Sequence, residues 1–539
     1  MTTNNRLAQL AVASLVFMTG MAVADHQHGA PQNPGTVPAS ADEWFKAGQR
    51  TIRQNKFANS LPNLRRAKNV IIFVGDGMGV STVTAARILE GQQRGADGEY
   101  NRLSFERFPN MALSVTASAN QQTSDSAPTA TAMVAGIKTN DGAISVDQAI
   151  ARAESSASVT AAHSVKTIME RAEERGMATG IVTTARVTHA TPAVNYAHIS
   201  NRDWEANNSL PAGATVKDIA RQLIEFPYGD GVDVVLGGGR SYFTPSTKAD
   251  PEYPTRVGNR TDGRDLTAEW ASRPGAKYVW NKADFDAVEP AAGTKLLGLF
   301  ERSHVKYEHD RATDPAGEPS IAEMTEKAIK VLRRNPKGFY LMVEGGRIDH
   351  AHHAGNAYRA LTDTIAMDQA VKKAMELTRD EDTLIIVTAD HSHTFTIAGY
   401  PSRGNPILGK ADSGLGLLGL SPLALDSLGL PYTTLGYQNG PGGWTGGFKR
   451  RELLATPSNG GSEGYANATY AGGALRPDLS GVDTANPNYL QESAIPTQGA
   501  ETHAGEDVGI YATGPRAYLF RGVMEQNAIY HVMADALGF

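Results

Sequence analysis

The 539-residue chain contains no cysteine. This absence excludes disulfide-stapled scaffolds, cysteine nucleophiles, zinc fingers and metal sites built on thiolates. An excess of one charge is also missing, because 51 lysines and arginines nearly balance 57 aspartates and glutamates. The net charge of −6 has the wrong sign for a protein that binds phosphate backbones, so we expect no nucleic-acid partner. Aromatic residues are scarce at 7%, but 41% hydrophobic and 20% charged residues are typical of a globular protein.

Long hydrophobic runs are also missing, apart from a short one at the start of the chain. Arg6 precedes an apolar stretch over about 7–21, which ends in Ala22-Val23-Ala24. This pattern predicts a secretory signal peptide over residues 1–24. No other stretch approaches the ~18 consecutive apolar residues of a membrane span, and no apolar tail closes the chain. We therefore expect an exported protein, periplasmic or extracellular, without membrane attachment.

In the body of the chain, short apolar runs alternate with stretches of helical periodicity. The runs at 69–74, 180–184 and 383–388 are nearly continuous in apolar and β-branched residues, as expected of strands covered on both faces. Helical stretches such as 321–332 and 357–378 lie between such runs. This alternation predicts an α/β fold with a largely parallel central sheet and helices on both faces.

Composition shifts divide the chain further. Residues 25–66 mix proline, glutamine and asparagine around one helical stretch at 42–56, and we interpret them as an N-terminal arm before a catalytic core over 67–400. Residues 401–500 hold 19 of the 55 glycines, which predicts a loop-rich insertion and no further strand–helix unit. Residues 501–539 are predicted to return to the core.

Several predicted strands end in carboxylates or histidines. In open α/β sheets, ligands bind outside the carboxyl ends of the strands, so these side chains should gather at one edge. The candidates, in chain order, are Asp76, Glu344, Asp349, His353, Asp390, His391 and His503. They offer oxygen and nitrogen ligands without sulfur, a set that suits catalytic zinc and magnesium.

The histidines after Asp349 are not equivalent. If a helix begins there, Asp349 and His353 are four residues apart, share one face and can chelate a single ion. His350 faces elsewhere, whereas His352 lies three residues from Asp349 and remains a competitor. A lone histidine such as His503 is more often structural, so its candidacy depends on the other clusters.

A different element, T-S-D-S-A-P-T-A-T-A-M-V-A-G (123–136), predicts a helix with Ser126 and Pro128 in its first turn. A hydroxyl at a helix N-terminus lies where a phosphate is stabilised. Equally, Asp125 or Ser126 can simply cap the helix, which is the commoner role of such residues. The sequence itself assigns Ser126 no partner histidine, so a nucleophilic Ser126 would require activation by a metal.

Five motifs follow one another in the chain: G-D-G-M-G, D-S-A-P-T-A-T-A, V-E-G-G-R-I-D-H-A-H-H, T-A-D-H-S-H and T-H-A-G-E-D. Together they resemble the alkaline phosphatases over most of residues 45–539, and V-L-G-G-G-R and D-P-E-Y-P are closer to the animal-type branch. The resemblance implies metal-dependent hydrolysis of small phosphate monoesters to an alcohol and inorganic phosphate, with a broad substrate range. It implies a phosphoserine intermediate on Ser126, and it assigns Arg202 to phosphate binding.

The same resemblance implies two zinc ions and one magnesium ion. One zinc is held by Asp349, His353 and His503. The other zinc is held by Asp76, Asp390, His391 and the oxygen of Ser126. Magnesium takes Asp76, Thr191 and Glu344, and His189 lies near it, at a position where family members have either His or Asp.

Two further expectations also come from the resemblance. A calcium ion, which the animal-type branch holds, maps onto Glu252, the carbonyl of Phe300, Glu301 and Asp314. The Gly-rich insertion matches the family's crown region and the arm helix its interlocking arm, which together imply a homodimer.

Two other classes of function remain open from the sequence. A sister enzyme with the same metal core, such as a phosphodiesterase, sulfatase or phosphonate hydrolase, shares most of the ligand pattern. Sulfatases place a Cys or Ser in a different motif, and many diesterases use Thr where this chain has Ser126. A secreted, non-catalytic metal-binding protein would need neither the nucleophile nor the complete ligand sets.

Overall fold

A computed structural model describes residues 40–58, 62–415, 421–442, 477–497 and 499–539. The predicted signal peptide therefore lies outside the described residues, as does the part of the Gly-rich segment over 443–476.

The described strands include the apolar runs noted in the sequence and several further short strands. They are β1 (Asn69–Gly75), β2 (Asn110–Val115), β3 (Ala178–Arg186), β4 (Val234–Gly238), β5 (Ala276–Val279), β6 (Lys295–Leu299), β7 (Phe339–Gly345), β8 (Thr383–Ala389), β9 (Ser392–His393), β10 (Phe395–Ile397), β11 (Leu435–Gly440), β12 (Glu492–Pro496), β13 (His503–Ala504), β14 (Val508–Thr513) and β15 (Val523–Glu525).

The described helices occupy most of the stretches between the strands. They are α1 (Ala41–Ala58), α2 (Val80–Gln93), α3 (Ser126–Ala135), α4 (Ala157–His163), α5 (Ile168–Glu174), α6 (Ala190–Ala193), α7 (Ile219–Ile224), α8 (Arg240–Phe243), α9 (Leu266–Ala271), α10 (Lys282–Asp286), α11 (Ile321–Leu332), α12 (Arg347–His353), α13 (Ala357–Leu377) and α14 (Ala528–Leu537). Reciprocal capping of Thr167 with Glu170 and of Ser320 with Glu323 explains where α5 and α11 begin.

The central sheet has ten strands in the order β15-β2-β14-β8-β1-β7-β3-β4-β6-β5. Every neighbouring pair is parallel except the two that β14 makes with β2 and β8. The predicted α/β fold with a largely parallel sheet is confirmed. The single reversed strand comes after the Gly-rich segment, where the chain re-enters the sheet from the opposite end.

Both faces of the sheet are covered, as the apolar strands predicted. In β1, Val70, Ile72 and Val74 pack into one core cluster, while Ile71 and Phe73 pack into the other. This alternation follows from the two-residue period of a strand. Residues of α3, α5 and α14 belong to the first cluster, and residues of α2, α11 and α13 to the second.

The strand register determines which polar side chains meet. Val74 of β1 pairs with Glu344 of β7, and Gly75 of β1 pairs with Ala389 of β8. Asp76 and Asp390 are the next residues after β1 and β8. The parallel register therefore places the carboxylates of Asp76, Glu344 and Asp390 at one level of one sheet edge, as the sequence predicted.

Two small sheets extend this edge. Strands β9 and β13 pair antiparallel, with His503 opposite His393. Strands β10, β11 and β12 form a three-stranded sheet in that order, and the latter two lie within the Gly-rich segment. The pairing of β13 with β9 brings the C-terminal part of the chain to the residues after β8.

Some elements were not predicted from the sequence. Strands β2, β5 and β15 contain exposed positions, so they lack the continuous apolar run that marks β1. Strand β6 is fully buried but only five residues long, and it includes Lys295 and Gly298. No described helix combines the length and the apolar character that crossing a membrane requires.

Far from this edge, one carboxyl group is buried near the start of β3. Glu173 is 1% exposed, accepts a hydrogen bond from the Thr179 hydroxyl at 2.5 Å, and burial raises its pKa to about 8. In an unfolded chain glutamate ionises near pH 4.3. The folded chain therefore binds the proton of the Glu173 carboxyl more tightly than the unfolded chain does. The stabilisation that this provides is present below about pH 4.3 and is lost as the pH rises to about 8.

We predict that Glu173→Gln flattens this pH dependence. As the pH rises from about 4.5 to 8, the melting temperature of the unmodified protein should fall relative to that of the variant. The corresponding loss in the free energy of unfolding is at most roughly 5 kcal/mol. Thermal unfolding across this range measures the difference. Glu174→Gln, next to it but 45% exposed, is the control and should follow the unmodified protein. Parallel pH profiles for Glu173→Gln and the unmodified protein would contradict the prediction.

Candidate active site

The site is built around a tight turn after β1. Gly77 has φ +69°, and a Cβ there would lie 2.3 Å from Nε2 of His393, so both conformation and space require glycine. The Gly77 N–H donates to Oδ1 of Asp390 at 3.0 Å, which links the ends of β1 and β8. The turn thereby directs Asp76 into the interior, where its residue exposure is 0%.

Three carboxylates lie close together in this interior without enough positive charge to balance them. Asp76, Glu344 and Asp390 are all fully buried. Burial, followed by the negative charges of Asp390, Asp349 and Glu344, raises the pKa of Asp76 well above its usual range. Burial likewise raises the pKa of Asp390 and raises that of Glu344 to about 7.

Several oxygens of these carboxylates accept no hydrogen bond from the described part of the chain, which indicates the kind of group that they can bind. Within the described residues, Oδ2 of Asp76, Oε1 of Glu344 and Oδ2 of Asp390 have no hydrogen-bond partner. Buried anionic oxygens of this kind are costly unless they are hydrogen-bonded or coordinate cations. Together with neighbouring histidine nitrogens, they form a donor set that suits divalent metal ions.

Ser126 lies beside this cluster, at the first residue of α3. Its Oγ is 3.5 Å from Oδ1 of Asp76 and 3.3 Å from Nε2 of His391, and the residue is 2% exposed. The His391 ring nitrogen is itself 3.4 Å from Oδ1 of Asp76. The capping alternative is also realised, because Asp125 accepts the N–H of Ser126 at 2.8 Å. Capping is thus the role of Asp125, which leaves the Ser126 hydroxyl directed at the cluster.

A second group of ligand-type side chains adjoins the first. Nε2 of His353 lies 3.2 Å and Nε2 of His503 lies 3.3 Å from the same Asp349 oxygen, and the two nitrogens are 3.0 Å apart. His503 reaches them through the pairing of β13 with β9. Potential ligand atoms of Asp76, Asp349 and His391 also lie within 4.8 Å of one another, so the two groups form one continuous centre.

The structure separates the competing histidines of α12. His352 is fully buried and turned away, with Nε2 3.0 Å from the Thr82 hydroxyl and Nδ1 2.9 Å from the Tyr437 hydroxyl. His350 lies 3.1 Å from a guanidinium nitrogen of Arg347. Helical geometry therefore leaves His353 as the histidine of this helix that faces Asp349.

His393 belongs to this centre but was not identified from the sequence. Its Nε2 lies 2.9 Å from Oδ1 of Asp349, and its Nδ1 lies 2.5 Å from Oε2 of Glu501. The signal was present in T-A-D-H-S-H, where a second histidine follows His391 by two residues at the end of a predicted strand. Burial lowers the pKa of His393, but the two carboxylates outweigh this effect and raise it to about 10.

Arg202 approaches the centre from the side. One guanidinium nitrogen lies 2.5 Å from Oδ2 of Asp125, and another lies 2.9 Å from Nε2 of His189. Burial opposes the charge of Arg202, yet the Asp125 carboxylate raises the pKa of the guanidinium further. Asp125 also lies within 4.8 Å of ligand atoms of His391 and His503. Arg202 is therefore held as a cation against Asp125, the residue that precedes Ser126.

The predicted magnesium ligands form a further group that includes Asp76. Ligand atoms of Asp76, His189 and Glu344 lie within 4.8 Å of one another. Thr191 is fully buried in the short helix α6, which begins directly after His189. Glu344 is also hydrogen-bonded by the Thr183 hydroxyl.

The predicted calcium ligands form a separate cluster on the loops beyond β4 and β6. Carboxylate oxygens of Glu252, Glu301 and Asp314 lie within 4.8 Å of one another. The Phe300 carbonyl accepts a hydrogen bond from Arg240 at 3.2 Å, and Arg240 also donates to Glu252 at 2.8 Å. Burial raises the pKa of Glu252 to about 7.

Fold and site together define an α/β protein with a cluster of potential metal ligands at the carboxyl edge of its sheet. A family model described as alkaline phosphatase matches residues 67–539. The alkaline phosphatase of Gadus morhua is 44% identical over 503 residues, covering 92% of this chain and 96% of that protein. The tissue-nonspecific isozyme of Homo sapiens is 43% identical over 505 residues, covering 92% and 88%.

Solved structures agree with these relatives. The Thermus thermophilus alkaline phosphatase superposes with a TM-score of 0.60 at 25% identity, covering 90% of this chain and 93% of its own. The enzyme of the Antarctic bacterium TAB5, at 22% identity and a TM-score of 0.56, supports the fold alone. The chain belongs to the alkaline phosphatase family, and it is a metal-dependent enzyme that hydrolyses phosphate monoesters.

We predict that removing metal ions abolishes this hydrolysis. Without cations, the buried carboxylates repel a phosphate ester, so treatment with a chelator should reduce turnover of p-nitrophenyl phosphate to the uncatalysed background. Dialysis against zinc and magnesium should restore it. Full turnover in a preparation shown by elemental analysis to be metal-free would contradict the prediction.

Proposed function

We propose that this enzyme transfers the phosphoryl group of a monoester to Ser126 and then to water. The observation that carries the proposal is the position of the Ser126 oxygen, which meets both Asp76 and His391 at the buried carboxylate cluster. Capping of the helix alone would not explain why the Ser126 hydroxyl faces a buried set of potential metal ligands.

The ligand groups suggest how the cations are shared. Asp349, His353 and His503 hold one zinc, while Asp76, Asp390, His391 and the Ser126 oxygen hold the other. Asp76, Thr191 and Glu344 hold magnesium, with His189 beside it. Cations bound by these groups supply positive charge that lowers the pKa of the Ser126 hydroxyl and offsets charge on the entering and leaving oxygens.

The chain's own residues account for the chemical steps. The Ser126 oxygen attacks phosphorus, an oxygen–phosphorus bond forms, and the bond to the ester oxygen breaks as the alcohol leaves with a proton. Water then attacks the phosphoserine, the serine oxygen regains its proton, and inorganic phosphate is released. The N-terminal end of α3 favours the phosphate charge throughout.

Arg202 binds the phosphate oxygens that are not transferred. Its guanidinium can form two parallel hydrogen bonds to them, and Asp125 fixes its plane and its charge. Recognition is thus directed at the phosphate and not at the leaving alcohol. A broad range of small phosphate monoesters is the expected consequence.

Ser126 and Arg202 also favour monoesters over the sister reactions. A diester has two non-bridging oxygens where a monoester has three, so a guanidinium that binds two of them leaves none for the cations. A phosphodiesterase or sulfatase activity is accordingly the weaker alternative, and a purely metal-binding role leaves Ser126 and Arg202 unexplained.

We further propose that Glu252, Glu301, Asp314 and the Phe300 carbonyl hold calcium. Asp314 supports this site, because neither of its buried carboxylate oxygens has a hydrogen-bond partner within the described residues. Arg240 and Lys306 contact the cluster as well, Lys306 at 2.5 Å from Glu301. Both basic side chains reduce the negative charge, which should lower calcium affinity.

Export and assembly complete the proposal. We infer that residues 1–24 direct export to the periplasm or beyond, that residues 25–66 form an arm, and that the chain is a homodimer. Exposed Trp44, Phe45 and Ile52 on α1 support the dimer, since they form an apolar face on the arm helix. The core over 67–400 and 501–539 carries the site, and the 401–500 insertion forms the crown.

We predict that Ser126→Ala abolishes phosphoenzyme formation and lowers kcat by roughly a thousandfold or more, because the attacking oxygen is removed. Acid-quenched labelling with a phosphate ester and steady-state kinetics measure both. Ser124→Ala, which removes a buried hydroxyl two residues away that donates to the Asp125 carbonyl at 3.4 Å, is the control and should retain turnover. Fast turnover by Ser126→Ala would exclude the nucleophile role.

We predict a different pattern for Arg202→Ala. Loss of the guanidinium should raise KM and weaken competitive inhibition by inorganic phosphate roughly 10- to 100-fold, since charged hydrogen bonds to the phosphate disappear. Inhibition kinetics with phosphate measure the effect. Arg152→Ala, an arginine 46% exposed and paired with Asp141, should leave inhibition unchanged. Unaltered phosphate inhibition in Arg202→Ala would argue against its role.

A further inference from the structure

Glu501 is a buried carboxylate outside every predicted ligand set. It lies two residues before His503, next to the start of β13, and only 1% of its surface is exposed. Its side chain carries a potential charge inside the protein, so its partners must account for its presence there.

The side chain of Glu501 holds the histidine that contacts Asp349. Oε2 of Glu501 accepts a hydrogen bond from Nδ1 of His393 at 2.5 Å, and Oε1 accepts from the Thr394 N–H at 2.7 Å and hydroxyl at 2.6 Å. Nε2 of His393 donates in turn to Asp349 at 2.9 Å. With both ring nitrogens committed, His393 orients Asp349 and does not replace it as a ligand.

The main chain of Glu501 holds a second member of the same group. Its carbonyl oxygen accepts a hydrogen bond from Nδ1 of His353 at 2.6 Å, and its N–H donates to the His353 carbonyl at 2.9 Å. A proton fixed on Nδ1 leaves the lone pair of His353 on Nε2, the nitrogen that faces Asp349 and His503.

We propose that Glu501 is a positioning residue that sets Asp349, His353 and His503 in the arrangement needed for one zinc ion. It acts on Asp349 through His393, on His353 through its carbonyl, and on His503 through the short main-chain segment that leads into β13. The inference rests on the proposed zinc site. It extends that site by a residue whose effect on the cation is transmitted entirely through other side chains.

The alternative is that Glu501 only neutralises the positive charge of the buried His393 and has no effect on the zinc ligands. Glu492 offers a matched comparison, because its Oε2 accepts from the N–H of Thr433 at 3.1 Å and from the hydroxyl of the same residue at 3.3 Å. Glu501 makes the same pair of bonds to Thr394, but Glu492 is half-buried in β12, which belongs to a different sheet from β13 and β9. A loss of zinc binding specific to Glu501 therefore reports positioning and not the removal of a carboxylate that binds a threonine.

The test compares Glu501→Gln, His393→Gln and Glu492→Gln with the unmodified full-length protein. Zinc affinity is measured by competition with a chromophoric chelator, together with turnover as a function of added zinc and the melting temperature of the metal-free proteins. We expect Glu501→Gln and His393→Gln to weaken one of the two zinc sites about 10- to 100-fold. Turnover should recover at saturating zinc, because the ligands themselves remain.

Each outcome is decisive. Glu492→Gln should bind zinc as the unmodified protein does, and equal weakening in this control would assign the effect to general destabilisation and overturn the proposal. Unchanged affinity at both zinc sites in Glu501→Gln would also overturn it. If the unmodified protein itself binds no zinc, the proposed metal assignment fails, and this inference fails with it. If Glu501→Gln does not fold, His393→Gln decides, since it breaks the same link with Glu501 intact.

Discussion

Four carboxylates, those of Asp76, Glu344, Asp349 and Asp390, are buried together at the carboxyl edge of one parallel sheet. Loss of water and mutual repulsion disfavour the charged state of Asp76, Glu344 and Asp390, and raise the pKa of each. The pKa of Asp349 is lowered instead, because His353 and the neighbouring histidines outweigh its burial. The peptide chain offsets only part of this with histidines and Arg202. The remaining negative charge requires divalent cations to balance it, and the geometry of the active site follows from this requirement.

The fold meets the requirement with elements from distant parts of the sequence. Strand register brings Asp76, Glu344 and Asp390 to one level, helix α12 adds Asp349 and His353, and β13 adds His503. The rigid, doubly covered sheet resists the separation that repulsion would otherwise cause. Cation binding and folding of this region should therefore be thermodynamically linked, because ions that bind only the folded arrangement stabilise it.

The sequence predicted the catalytic edge better than it predicted the rest of the sheet. Long apolar strands such as Asn69–Gly75 are visible as uninterrupted runs, and the side chains that follow them stand out by their chemistry. Short strands such as Ala276–Val279 are partly exposed, so nothing in their composition separates them from loops. The reversed strand Val508–Thr513 could not be oriented, since strand direction depends on the path of the Gly-rich segment and not on local pattern.

Side chains that act through others were the hardest to predict. The four-residue spacing already paired His353 with Asp349, but His352 remained a competitor until the structure showed that it contacts Thr82 instead. Glu501 carries no signal in its own motif, because its importance comes from the pairing of β13 with β9, which is a long-range contact. Arg202 became a candidate through family resemblance, and its bond to Asp125 could not have been derived from spacing.

The most direct measurement of the central claim is a crystal structure of the metal-loaded protein with anomalous diffraction recorded on both sides of the zinc absorption edge. The account predicts two zinc peaks, one among Asp349, His353 and His503 and the other among Asp76, Asp390, His391 and Ser126. Zinc peaks located elsewhere, or carboxylates that remain clustered with no ion between them, would contradict it.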